Sequence, residues 1–102
     1  MEVYLLRNKN GIKAVGQYNP ENKELIVLKG SVVSETISFT ERFRGAGSIM
    51  KKRQDTVRDR IVTKDVQFKS ASTAANFVTG SSTNGLTAWK TESGSKLKEV
   101  ID

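Results

Sequence analysis

The sequence predicts an α+β fold: an antiparallel β-meander sheet with two or three short helices packed on it, as a single domain over residues 1–102. Three observations carry that prediction. The first third alternates apolar and polar residues with period two between strong turn signals. The stretch after Ser70 repeats small apolar residues at helical spacing and ends at a glycine. Strand-like segments come first and helix-like segments after, which fits an antiparallel sheet better than a βαβ succession.

The elements follow in order. Val3 to Arg7 reads as a short strand, and Asn10-Gly11 as a hairpin turn, because both residues tolerate positive φ. From Ile12 to Tyr18, the residues Ile12, Ala14, Gly16 and Tyr18 fall on one face and Lys13, Val15 and Gln17 on the other. Asn19-Pro20-Glu21-Asn22 is a turn, with Pro20 presetting its φ. Glu24 to Lys29 holds four consecutive apolar residues, Leu25 to Leu28, as expected of a central strand or one covered by a helix. Val32 to Phe39 is a weaker strand, rich in Val, Thr and Ile.

The middle of the chain changes character. Arg44 to Ser48 is a small-residue linker, and Ser48 is placed to N-cap a helix running to about Arg60, with Met50, Val57 and Ile61 on one face. Lys51, Lys52 and Arg53 would then crowd the first turn, where the helix dipole disfavours cations. The next helix is clearer. Ser70 caps it, Ala71, Ala74, Ala75 and Val78 form its stripe, and Gly80 supplies a left-handed stop. Ser81 to Gly85 forms a polar loop closed by an Asn-Gly turn, and Leu86 to Thr91 reads as a strand. Ser95 then caps a last short helix with Leu97, Val100 and Ile101 inward.

Composition excludes more than it asserts. With no cysteine and no histidine, the chain lacks disulfides, thiolate metal sites and histidine-based triads. Asp55 and Asp59, at i and i+4 of the expected helix, could share a cation, but Lys51, Lys52, Arg53, Arg58 and Arg60 around them explain the pair as intrahelical ion pairing. Gly45-Ala46-Gly47 lacks the Lys-Ser/Thr of a phosphate-binding P-loop. The expectation is a protein that is not an enzyme and uses no cofactor or metal. The longest apolar run is four residues, and Met1 to Arg7 has no signal-peptide pattern, so the expected location is cytoplasmic, with no membrane partner.

Charge is the positive signal. Between Arg42 and Lys69, nine lysines and arginines stand against three aspartates, which accounts for the whole net charge of +6. One reading is a solvated helix face; the other is an anionic partner such as DNA. The candidate nucleic-acid residues are Arg42, Arg44, Lys51, Lys52, Arg53, Arg58, Arg60 and Lys64, together with Ser81, Ser82, Asn84 and Gly85 of the hydroxyl-rich loop. Trp89 has two readings, a core filler or a platform for base stacking.

Leu25-Ile26-Val27-Leu28-Lys29-Gly30-Ser31 and the run from Phe68 to Trp89, of the form F-x-S-x-S-x-A-A-x-x-V-x-G-x-S-x-N-G-x-x-x-W, resemble the domain-of-unknown-function family 4357 over about residues 11–101. The family often has a proline near the position of Ala71; this chain does not. The same half is similar to the RAMA domain, found with restriction enzymes and adenine methylases, and family members often accompany GIY-YIG nuclease-type proteins. The resemblance implies a non-catalytic accessory module, DNA-binding and able to sense modified DNA, beside a nuclease or methylase; the domain itself is expected to be a monomer. The alternative is a protein–protein interaction or regulatory module without nucleic-acid binding.

Overall fold

The computed structural model describes residues 1–38 and 43–101, so Arg42 and Phe39 lie outside the described residues. Its main sheet is antiparallel with strand order β1-β2-β3-β6, where β1 is Glu2–Arg7, β2 Ile12–Tyr18, β3 Leu25–Val27 and β6 Val66–Phe68. The β1–β2 hairpin pairs Glu2 with Gln17 through to Arg7 with Ile12. A 3-10 turn at Asn8–Asn10 closes it, and Gly11 leaves that turn at φ 68°. The period-two reading of β2 holds: Ile12, Ala14, Gly16 and Tyr18 are buried. β3 lies between β2 and β6, which explains its continuous apolar run.

Helix α2, Ala71–Thr79, covers the inner face of this sheet. Ser70 caps it by accepting the Thr73 N–H at 3.1 Å, and Gly80 ends it at φ 73°. Its alanines let the helix axis approach the sheet closely, while Phe77 fills the remaining space against Phe68, with ring centroids 5.0 Å apart. Trp89 inserts beside Gly16, where a Cβ would press on Leu25 and on the indole itself.

Four expected elements are corrected. The helix expected at 48–60 is α1, Ala46–Thr56, with Gly45 rather than Ser48 as N-cap. Beyond it the chain forms a tight hairpin, β4 Val57–Arg58 and β5 Ile61–Val62, whose turn residues Asp59 and Arg60 take φ of 52° and 69°. Asp55 and Asp59 therefore do not share a helix face. The expected strand 32–39 is irregular over its described part, where only Val32 makes bridges, to Lys13 and Ile61. The strand expected at 86–91 begins instead as α3, Gly85–Ala88, because the Asn84 side chain caps it by accepting the Leu86 N–H at 3.0 Å. Only after Ala88 does the chain extend, and Lys90 then pairs with Tyr4 at the outer edge of β1. The last helix, α4, is Leu97–Val100, with Lys96 rather than Ser95 at its N-cap. Leu97 is buried as expected, while Val100 is 43% exposed.

Candidate nucleic-acid interface

Two of the expected phosphate-binding arginines hold the fold together. From the last turn of α1, Arg53 crosses to the C-terminal end of α2. Its Nε and Nη2 donate to the Phe77 carbonyl at 3.0 and 2.6 Å, its Nη1 to the Ser34 carbonyl at 3.0 Å, and its Nη2 also to Ser34 Oγ at 2.9 Å. The guanidinium lies 5.8 Å from the Phe77 ring centroid. It thus satisfies carbonyls that the end of α2 leaves open, at the negative pole of the helix. Burial, and secondarily the charge of Arg60, lower the Arg53 pKa to about 10, so it remains a cation at neutral pH. Arg60 is the second such pin: its Nε donates to the Val33 carbonyl at 3.0 Å and its Nη2 to the Asn10 carbonyl at 2.6 Å. These bonds tie the β4–β5 hairpin to the β1–β2 turn.

The other basic candidates, Arg44, Lys51, Lys52, Arg58 and Lys64, are exposed. Because α1 starts at Ala46, Lys51 and Lys52 sit past its first turn, and the expected clash with the helix dipole does not arise. Trp89 takes the core reading. It is 0% exposed, and its indole N–H donates to the Ala71 carbonyl at 3.0 Å, so it has no face to offer a base. Gly85 is buried too, with its N–H donated to Ser72 Oγ at 2.9 Å, and a Cβ there would overlap the backbone of Ala71 and Ser72. Gly85 is thus a packing residue, and Trp89 and Gly85 leave the candidate site.

The hydroxyl loop does face solvent. Its backbone is held from within: Thr83 N–H donates to Asn76 Oδ1 at 2.8 Å, and the Thr79 and Thr83 hydroxyls bond at 2.8 Å. Ser82 and Asn84 are exposed and Ser81 half-buried. This loop walls a groove made of two clefts. One, of about 390 Å³, runs between the end of β1 and the loop, past Arg7, Ser82, Asn84, Thr87 and Lys90. The other, of about 640 Å³, runs past Lys9, Ser34, Glu35, Thr36 and Arg60. Arg7 and Ser81 line both clefts, so the two adjoin. The lining carries four cations, Arg7, Lys9, Arg60 and Lys90, against one carboxylate, Glu35. Of the expected residues, the groove brings together Ser81, Ser82, Asn84 and Arg60. Arg7, Lys9 and Lys90 were not expected there; they lie in the part of the sequence whose charges cancel, and only the fold sets them against the loop.

The fold and site define a small α+β module with one basic, hydroxyl-lined groove at the end of its sheet. The chain belongs to the family described as Domain of unknown function (DUF4357), which matches residues 4–101 and so includes β1 from Tyr4 onward. No curated protein and no solved structure matches the chain significantly. Among the described residues, no helix is long and apolar enough to cross a membrane.

Proposed function

We propose that this chain is a non-catalytic accessory module that binds duplex DNA weakly, through phosphate contacts in the groove between the β1 end and the Ser81–Asn84 loop. The observation that supports this reading is the pooling of Arg7, Lys9, Arg60 and Lys90 with exposed hydroxyls along two adjoining clefts. Cations fix the backbone of a nucleic acid, and hydroxyl and amide groups add directional bonds to phosphate oxygens. Arg44, Lys51, Lys52, Arg58 and Lys64 add longer-range attraction. In this reading the protein acts as a monomer in the cytoplasm beside a separate nuclease or methylase, the setting implied by its resemblance to RAMA and GIY-YIG-associated domains. The interaction-module alternative has a smaller foothold, because Lys90 already occupies the edge of β1 at Tyr4.

Fluorescence anisotropy of a labelled duplex at two salt concentrations tests the proposal. The expected Kd is on the order of 10⁻⁴–10⁻⁶ M, with log K falling against log salt at a slope of about −3 to −4 for three to four phosphates. Arg7→Glu combined with Lys9→Glu should reduce binding to background. Binding that is absent even at low salt, or unchanged in that double variant, rejects the reading. Partners recovered from lysate that survive nuclease digestion and bind independently of salt would support the interaction module instead.

A further inference from the structure

A third cleft of different character adjoins the groove at Lys90. It holds about 510 Å³, within the range of about 300–1,000 Å³ usual for small-ligand pockets, and shares Leu6, Ala88 and Lys90 with the groove. Its origin lies in strand register. Tyr4 exchanges two backbone hydrogen bonds with Lys90, at 2.7 and 2.8 Å. Two residues further along β1, Leu6 would next meet Ala88, but Ala88 belongs to α3 and the chain has turned away. The edge opens there. In β1, Val3, Leu5 and Arg7 direct their backbone groups toward β2, so the N–H and C=O of Leu6 face the opening, and neither has a partner among the described residues.

The walls sort by chemistry. Leu6, 61% exposed, and the ring of Tyr4 lie on the same outer face of β1, two residues apart. The Tyr4 hydroxyl donates to the Glu2 carboxylate, which holds the ring in place. Glu92 lies at this end of the cleft, while Lys90 marks its junction with the groove. Carboxylates make the Tyr4 end unfavourable for a phosphate. An apolar wall, an aromatic ring and a backbone donor–acceptor pair instead suit a neutral, flat, polar ligand. The Lys90 bridge at Tyr4 interrupts this edge, so no continuous run of ladder bonds is left for an added peptide strand.

Resting on the DNA reading above, we propose that the Tyr4–Leu6 cleft takes up one unpaired nucleobase of a nucleic acid whose phosphates lie along the adjoining groove. The base stacks on Tyr4 and Leu6, and its polar edge meets the N–H and C=O of Leu6. Three labelled duplexes of equal length test this: fully paired, with one unpaired thymidine, and with one unpaired abasic site at the same position. The thymidine bulge should bind about tenfold tighter than the abasic bulge, the scale of one base–aromatic stack, with equal salt slopes. Tyr4→Ala should erase that difference while leaving the slope unchanged, and Leu6→Ser, at an exposed position, provides the same test with little risk to folding. Equal binding of the two bulges, or a preference that survives both substitutions, overturns the base cleft while leaving the groove intact. Failure of all three duplexes to bind at low salt overturns both.

Discussion

Arg53 joins three parts of the structure: α1, the end of α2 and the segment at Ser34. Arg53→Ala would leave the Phe77 and Ser34 carbonyls unsatisfied and should cost about 3 kcal/mol, which lowers Tm by roughly 10–20 °C in a domain this size. Thermal melts followed by circular dichroism check this. Its titration has a definite sign: with burial lowering the folded pKa to about 10, the unfolded chain binds more protons above pH 10, so this group raises stability as pH climbs above 10 and contributes no pH dependence below it. Tyr4 has the opposite sign. Its hydrogen bond to Glu2, then desolvation, raise its pKa above 10, so its contribution is present below pH 10 and is lost as alkali ionises it. Glu2→Gln should bring the tyrosinate absorbance transition of Tyr4 down. Trp89, sealed in the core, should emit at short wavelength, resist iodide quenching and keep its spectrum when DNA binds; a spectral shift on DNA addition would mean that the core opens.

At the level of elements, α2 was legible because its signals are local: a serine cap, an alanine stripe and a glycine that must adopt φ 73°. Gly80→Val should destabilise by more than about 1 kcal/mol, since a Cβ there meets the Thr36 carbonyl in addition to the unfavourable φ. Gly30, also at positive φ but with open space around it, is the control, and Gly30→Asn should be mild. The β1–β2 hairpin was legible for the same reason: its alternation and turn are adjacent in sequence. The region 57–62 was not. Val57 and Ile61 keep helical spacing with Met50, yet Arg60 gains two carbonyl partners only in a hairpin, and those partners are 27 and 50 residues away. α3 was missed because Leu86 to Trp89 has strand-like composition, while the cap at Asn84 and the close approach of Gly85 to Ala71 decide for a helical turn. The groove was half legible: its hydroxyl loop stands out in the sequence, but the cations opposite come from the β1 end and from Lys90.

For the whole molecule, the separation of structural from solvated cations changes how charge reversal should be read. Replacing Lys51, Lys52 and Arg53 together by glutamate should unfold the domain, since Arg53 is a pin; Lys51→Glu with Lys52→Glu should leave Tm within a few degrees and only soften DNA binding. Comparing both variants by melting and by anisotropy separates the two roles.

The adjacency of β3 and β6 has a kinetic consequence. Leu25 pairs with Phe68, and α1 and the β4–β5 hairpin both lie in the chain between the two strands. Closing such a loop carries an entropy cost of about 3 kcal/mol before any contact offsets it. The β1–β2 hairpin, closed by a short turn, has no such barrier and should form early. Refolding should therefore wait on the return of β6, with Arg53 docking after that step. If so, Arg53→Ala speeds unfolding and leaves the refolding limb of the chevron almost unmoved. Arg53 would then govern how long a folded molecule lasts, and have little say in how fast one is made.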